Sequence, residues 1–205
     1  MDDLHTALGR LAAAVRTLTA ATVSLASAET ASHAAADVER IVASLAPRLA
    51  EPPLPRYPTM SPPPTEPGDL MPFDLVLGRL NPLAPPVVFT WEDGKSIGRV
   101  TFTRPYEGPP GCVHGGMIAA VFDQVLSVAN IMSGQAGPTA QLQLRFRKPT
   151  PLGVEVRFEG WQERTAGRRI HAAGRLLANG EVTVEAEGIF VQLPSGRVMQ
   201  MLEPD

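Results

Sequence analysis

The sequence predicts an α+β fold in which an antiparallel β-sheet packs one long helix against one of its faces. The stretch from Gly116 to Met132 is predominantly apolar, and its length is more typical of a buried helix than of a strand. The chain after it alternates apolar and polar residues, as strands with one buried and one solvated face do. The predicted inward positions are Leu142, Leu144, Phe146, Val154, Val156, Phe158, Ile170, Ala172, Gly174, Leu176, Val182, Val184 and Ala186. Because the buried face must be covered, the long helix is its expected cover.

Two further segments are predicted before this domain. Residues 1–46 form an alanine-rich N-terminal helical extension, in which large apolar residues recur in steps of four and three, as in an a/d seam. The seam residues are Leu4, Leu8, Leu11, Val15, Leu18, Thr22 and Leu25. Such a seam is expected to bury against another subunit or a partner helix, the alternative being a solvated helix lying on the domain. Residues 47–72 hold ten of the 21 prolines, which excludes a regular helix and predicts an extended linker to the main domain, residues 73–205.

Turn signals place the strands within this domain. Residues 73–83 are predicted to enter it as a short helix or turn. Strands are expected at residues 86–92 and 97–104, joined by the turn Glu92-Asp93-Gly94-Lys95. Asn179-Gly180, between the last two alternating runs, is typical of a type I′ hairpin.

The start of the long helix carries the main chemical signal. Gly115 and Gly116 follow a glycine- and proline-rich loop, and a helix that begins there leaves its first N–H groups uncovered by side chains. Such a positive helix end can hold developing negative charge. Further along, Asp123, Ser127 and Asn130 are spaced i, i+4, i+7 and share one face. Asp123 is either a buried acid satisfied by hydrogen bonds or a functional carboxylate.

These residues resemble a known signature. Residues 106–116, Tyr-Glu-Gly-Pro-Pro-Gly-Cys-Val-His-Gly-Gly, followed by Asp123, are similar to the motif of PaaI-like hotdog-fold acyl-CoA thioesterases. Residues 139–153 resemble the strand and turn that follow in that family, and the resemblance covers roughly residues 73–193. It implies a hotdog fold, in which a curved antiparallel sheet wraps around a central helix. It also implies hydrolysis of acyl-CoA to free acid and coenzyme A by a homodimer or dimer of dimers with shared sites.

The resemblance also implies roles for single residues. Asp123 would be the general base or the nucleophile, with both routes open, and Gly115 and Gly116 would bind the oxyanion through their N–H groups. His114 would either orient the loop or act as an acid or base. Thr139 matches a position where relatives often carry a hydroxyl near the catalytic acid. Gly108 departs from the family, in which many relatives have asparagine or another polar residue there.

Substrate binding is assigned to two groups of residues. Phe122 and Leu126 on the long helix are expected to line the acyl site. A basic group is expected to bind the phosphates of coenzyme A; it consists of Arg145, Arg147, Lys148, Arg168 and Arg169. Two rival functions remain open: an acyl-CoA-binding module without turnover, and a hotdog-fold hydratase or dehydratase.

Composition limits the other classes. A net charge of −3 gives no argument for a nucleic-acid partner, and no run approaches a transmembrane length. The single cysteine and an N-terminus unlike a signal peptide predict a cytoplasmic protein. The sequence has no cysteine–histidine cluster with metal spacing, no Walker-type loop and no GxGxxG, so no metal or cofactor is expected beyond the coenzyme A of the substrate.

Overall fold

The computed structural model describes residues 3–49 and 71–192, so most of the predicted linker and the segment after residue 192 lie outside the described part. The helices are α1 (Leu4–Thr22), α2 (Ala28–Leu45) and α3 (Gly115–Met132), and the strands are β1 (Val88–Glu92), β2 (Lys95–Thr101), β3 (Thr139–Phe146), β4 (Glu155–Ala166), β5 (Arg169–Ala178) and β6 (Glu181–Val191). Short 3₁₀ turns cover Ala46–Arg48 and Arg104–Tyr106, and residues 73–83 enter the domain through turns.

The six strands form one antiparallel sheet in the order β1-β2-β4-β5-β6-β3. Both predicted hairpins are confirmed as two-residue turns. Asp93 and Gly94 have φ of 49° and 74°, and Asn179 and Gly180 have φ of 52° and 78°. Positive φ at both central positions defines the type I′ turn, whose twist matches that of the strands it joins.

The helix α3 lies against one face of this sheet, as predicted, and the two share one core. The predicted inward positions on β4, β5 and β6 are buried, except that Val182 is half-buried. Leu142, Leu144 and Val154 are half-buried, and the prediction is wrong for Phe146 at the end of the edge strand β3, which is 55% exposed. The Phe122 ring of α3 meets the Phe158 ring of β4 edge-on at 5.1 Å between centroids. The sequence of α3, with a mean hydropathy of 1.4 over 18 residues, would pass for a membrane span by length and composition. Half of it is buried inside the fold, and core helices pass the same test.

A row of glycines under α3 sets how closely the helix approaches the sheet. Gly160, Gly174 and Gly188 lie on β4, β5 and β6 and point toward the helix. A Cβ at Gly160 would lie 2.6 Å from Val125 Cγ1, and one at Gly188 would lie 3.0 Å from Leu126 Cδ1. Because glycine has no Cβ, the side chains of α3 can pack directly against the backbone of the central strands.

The N-terminal extension consists of two helices rather than one continuous seam. The chain leaves helix after Thr22, and the Ser27 hydroxyl accepts a hydrogen bond from Thr30 N–H at 3.2 Å to cap α2. The predicted seam lies mainly on the surface, with Leu4 and Leu11 of α1 62% and 47% exposed. Its burial against another subunit or a partner stays a prediction.

On the outer face of the sheet, Glu159 offers a test of pH-dependent stability. Its buried carboxylate accepts hydrogen bonds from Arg157 Nε at 2.9 Å and Arg175 Nε at 2.8 Å. Burial alone would raise the pKa of Glu159, but the two guanidinium hydrogen bonds outweigh it and hold the pKa below its ordinary value of 4.5. The charged form therefore stabilises the fold above pH 4.5, and this contribution is lost as the pH falls through the lowered pKa.

Glu159→Gln is accordingly expected to lower the free energy of unfolding at pH 7 by about 1–2 kcal/mol, since both arginines are partly solvated. The difference from the parent protein should shrink below pH 4.5. Urea denaturation at pH 7 and at pH 3 measures both values. Glu163→Gln, on the exposed part of the same strand, is the control and should change little. Equal destabilisation by the two variants at pH 7 would contradict the prediction.

Candidate functional site

The loop before α3 is held in place mainly by its backbone. The N–H of Gly111 donates to Glu107 Oε1 at 2.7 Å, and Gly111 has a φ of +73°, which favours glycine. The N–H of Val113 donates to the carbonyl of Thr150 at 2.9 Å, so the loop is tied to the turn after β3. At Gly108, a Cβ would lie 2.8 Å from His114 Cα. A side chain at this position would therefore displace the loop.

His114 caps the start of α3. Its Nδ1 accepts a hydrogen bond from Gly116 N–H at 3.0 Å, and its carbonyl accepts from Met117 and Ile118 N–H. The N–H of His114 in turn donates to the carbonyl of Tyr106 at 2.8 Å. These contacts favour the orienting role of His114. A histidine before a glycine pair at a helix start could have been interpreted as a cap from the sequence alone.

The cap separates the two oxyanion candidates. The N–H of Gly116 is occupied by the His114 imidazole. Within the described part of the chain, no hydrogen bond uses the N–H of Gly115, the first residue of α3. Among the backbone N–H groups of the first four residues of α3, the N–H of Gly115 is therefore the one that can donate to a reactant. The geometry does not support the predicted oxyanion role of Gly116, because its N–H already donates to the His114 imidazole.

Asp123 and Thr139 are brought together although they are 16 residues apart in the chain. The Thr139 hydroxyl donates to Asp123 Oδ1 at 2.7 Å, and the Asp123 side chain is half-buried. Thr139 begins β3, and Asp123 lies in the middle of α3. Of the polar stripe, Ser127 is also half-buried, whereas Asn130 is buried. The carboxylate thus keeps access to a reactant while one of its oxygens is fixed by a neutral donor.

Within one chain, the open N–H of Gly115 and the carboxylate of Asp123 are too far apart to contact the same atom. Gly115 and Asp123 are eight residues apart on α3, hence roughly 12 Å along its axis. The strand β3 runs past both, because a Cβ at Gly115 would lie 3.3 Å from Phe146 Cζ at its end, and Thr139 at its beginning contacts Asp123. The donor therefore lies at the end of β3 and the carboxylate at its beginning.

The two predicted acyl-lining residues lie in the core. Phe122 and Leu126 are fully buried between α3 and the sheet. Phe122 packs on Phe158, and Leu126 lies over the glycine row. Their packing accounts for their apolar character, and in the single chain they face the sheet and not an open surface.

The predicted basic group divides between two ends of the sheet. Near the end of β3, Arg147 forms an ion pair with Glu185 at 2.7 Å and Lys148 one with Glu181 at 2.9 Å. Arg145 is exposed on β3, opposite Glu185 of β6. At the other end of the sheet, the Arg168 Nε donates to the carbonyl of Gln192, and Arg169 pairs with Val191 at the start of β5. The two sets are separated by the length of β3, about 24 Å.

A groove of about 490 Å³ adjoins the open N–H of Gly115. It is mainly apolar, with Phe146, Ile118 and Val113 among its walls, and it carries Arg147 and Lys148. We call it the Phe146 groove. Sequence reasoning did not identify it, because it forms between the loop before α3 and the end of β3. Among residues 3–49 and 71–192, no group of three or more His, Cys, Asp or Glu side chains is placed to hold a metal ion.

A six-stranded antiparallel sheet wrapped around one helix, with a glycine-rich loop leading into that helix, defines a hotdog-fold protein. Residues 110–185 match the family model of the thioesterase superfamily. A crystallised thioesterase superfamily protein is 37% identical, with a TM-score of 0.78, over 90% of this chain and 94% of its own. The chain belongs to the thioesterase superfamily.

Curated relatives match a shorter part. Acyl-coenzyme A thioesterase THEM4 of Xenopus laevis is 30% identical over 92 residues, which cover 43% of this chain and 41% of that protein. THEM4 of Bos taurus is 31% identical over 110 residues, covering 52% of this chain and 45% of its own. The chain therefore spans less than half the length of these relatives.

Proposed function

We propose that the protein hydrolyses acyl-CoA thioesters to the free acid and coenzyme A without a further cofactor. The observation that carries this proposal is the pair of complementary groups on α3: a carboxylate fixed by the Thr139 hydroxyl at 2.7 Å, and the open N–H of Gly115 at the positive helix end. The names of the curated relatives, acyl-coenzyme A thioesterases, support the same reaction here.

The chemistry needs few groups because a thioester is already activated. In one route Asp123 takes a proton from water as the water oxygen attacks the carbonyl carbon. In the other, the carboxylate attacks the carbonyl itself, the carbon–sulfur bond breaks to leave an acyl–aspartyl anhydride, and water then cleaves that anhydride. In both routes the carbonyl oxygen gains negative charge, which the N–H of Gly115 would stabilise by a hydrogen bond. The carbon–sulfur bond then breaks, and the thiolate of coenzyme A leaves and takes up a proton.

A homodimer is part of the proposal because one chain separates these groups. Among the described strands, β3 is at the edge of the sheet, and the backbone row on its outer side pairs with none of them and could pair with a neighbouring subunit. Antiparallel pairing of two β3 strands about a two-fold axis would place the beginning of one beside the end of the other. Asp123 and Thr139 of one subunit would then approach Gly115 and Phe146 of its neighbour, and this would happen twice.

Antiparallel pairing of the two β3 strands would also bring the two sets of predicted basic residues to the same site. Arg168 and Arg169 lie at the Thr139 end of the sheet, and Arg147 and Lys148 lie at the Phe146 end. Across the dimer, both sets would flank each site, where coenzyme A presents its phosphates. A dimer of dimers and a cytoplasmic location stay predictions alongside this arrangement.

A panel of acyl-CoA substrates tests the proposal. Acetyl, hexanoyl, dodecanoyl and arylacetyl thioesters should release free thiol in step with free acid, measured with a thiol-reactive chromophore and by acid quantification. Tight binding without thiol release would favour the acyl-CoA-binding module instead. Loss of the enoyl absorbance of crotonyl-CoA without thiol release would favour the hydratase. Either result with the folded protein would overturn the hydrolase.

A further inference from the structure

The helix α1 docks on the domain by its small residues rather than by its leucines. Ala12 is 2% exposed, whereas Leu11 and Leu18 are 47% and 39% exposed. A Cβ at Gly9 would lie 3.6 Å from Leu80 Cδ2, so this position of α1 also faces the domain. A surface helix normally turns its large apolar residues toward the core. The reversed orientation leaves space beneath α1, because small side chains do not fill the gap between helix and domain.

This space is a groove of about 530 Å³, within the range of small-molecule sites. On the side of α1 it is lined by Ala13, Thr17 and Ala20, spaced i, i+4, i+7 along one face, and also by Arg16 and Thr19. The opposite wall comes from the domain, and its main members are Pro82, Leu83, Pro86, Pro105, Tyr106 and Met117. We call it the α1 groove.

The α1 groove adjoins the first turn of α3. Met117, in its wall, is two residues after Gly115, and the carbonyl of Tyr106 accepts the hydrogen bond of His114 N–H at 2.8 Å. The Phe146 groove includes Gly115 itself. Because Gly115 and Met117 project from different sides of the helix, the two grooves flank the same turn.

The two grooves differ in charge. The Phe146 groove carries Arg147 and Lys148. Among the described residues that line the α1 groove, Arg16 alone has a charged side chain, and its Nη1 donates to the carbonyl of Asn81 at 3.0 Å. Burial raises the pKa of the Tyr106 phenol, which is therefore neutral at ordinary pH. Coenzyme A brings phosphates, and the acyl chain brings hydrocarbon, so each groove suits a different part of one substrate.

We propose that the α1 groove receives the acyl moiety of the thioester and that Ala13 and Ala20 determine which acyl groups fit. This assignment rests on the proposed thioesterase function. The N-terminal helix then forms one wall of the substrate site, and the small residues of its inner face are specificity-determining residues.

Filling the groove from α1 tests the assignment. Ala13→Leu and Ala20→Leu should each lower kcat/KM for dodecanoyl-CoA about tenfold or more, on the scale of steric discrimination in an apolar pocket, and change that for acetyl-CoA less than about twofold. Ala14→Leu, the same change at an exposed position of α1 that does not line the groove, is the matched control and should leave both values unchanged. An unaltered chain-length profile in the two folded groove variants would overturn the proposal.

Two further measurements keep the test decisive. The affinity of non-hydrolysable S-dodecyl and S-methyl coenzyme A thioethers, by calorimetry, reports the groove even if the parent protein hydrolyses no thioester. A parent protein that hydrolyses no thioester would refute the proposed hydrolase activity. A selective loss of S-dodecyl binding in the groove variants would still support the α1 groove as the acyl site. If the α1 variants do not fold, Leu83→Asp on the opposite, exposed wall should weaken S-dodecyl binding selectively. Equal binding by Leu83→Asp and the parent protein would overturn the proposal.

Discussion

Replacing Asp123 with asparagine is expected to lower kcat for acyl-CoA hydrolysis by at least about a hundredfold, the scale of lost acid–base catalysis. The amide has the same shape as the carboxylate and its oxygen can still accept the Thr139 hydroxyl hydrogen bond, so the fold should persist. It cannot accept a proton from water or attack a carbonyl carbon as the carboxylate can. Thiol release at saturating substrate measures the effect.

The controls separate chemistry from stability. Asp93→Asn changes a surface turn position with a φ of 49°, which asparagine tolerates, and should leave kcat unchanged. Thr139→Val removes the hydrogen bond to the carboxylate and should lower kcat roughly tenfold or more, whereas Thr139→Ser should retain most activity because it keeps the hydroxyl. Undiminished turnover by folded Asp123→Asn would show that this carboxylate is not the reacting group.

The fold could be predicted largely because its signals are local. Period-two alternation identified the inward face of the strands, and Asn179-Gly180 fixed a type I′ turn whose positive φ values only a few residues adopt readily. The length of the apolar run that ends at Met132 predicts the helix α3. The closeness of α3 to the sheet could not be predicted, because Gly160, Gly174 and Gly188 become neighbours only after three strands pair.

The site was predictable where spacing along one helix carried the information. The sequence pattern predicts Asp123 and the glycine pair as candidate site residues. The choice between Gly115 and Gly116 depends on which N–H the His114 imidazole accepts, and the sequence does not show this. Phe122 and Leu126 lie in the core although the sequence predicts an acyl-site role for them, because apolar residues of a core and of a pocket look alike in sequence. The leucine seam predicts burial against another subunit or a partner helix, which stays a prediction, whereas the contact of α1 with its own domain is made at Ala12 on another face and has no such signal in the sequence.

A proline at Gly115 is expected to lower kcat by about a hundredfold to a thousandfold, the effect of removing one oxyanion donor. Gly115 is the first residue of α3, where proline fits a helix, and its N–H serves no hydrogen bond in the described chain. His114 before it has φ −61° and ψ 129°, the extended conformation that a residue preceding proline prefers. The substitution therefore deletes one donor with little strain on the helix. Circular dichroism checks that the fold is kept.

The matched control for this variant is Gly115→Ala. It adds a Cβ at the same position, 3.3 Å from Phe146 Cζ, but keeps the N–H. It should lose no more than a few-fold in kcat, since the ring edge can shift slightly. Equal losses in the alanine and proline variants would assign the effect to crowding against Phe146 and remove the oxyanion role from Gly115.

Mixed dimers decide whether the two groups act across subunits. If Asp123 of one subunit acts with Gly115 of its neighbour, a dimer of one Asp123→Asn and one Gly115→Pro chain has one site with both lesions and one intact site. Such dimers, co-expressed with two different tags and purified through both, should recover about half the parent turnover per dimer. If each site instead lay within one chain, both sites would carry one lesion, and the mixed dimer would be as inactive as either parent variant. Absence of recovery in a purified, folded mixed dimer would therefore show that the carboxylate of one subunit does not act with the donor of its neighbour.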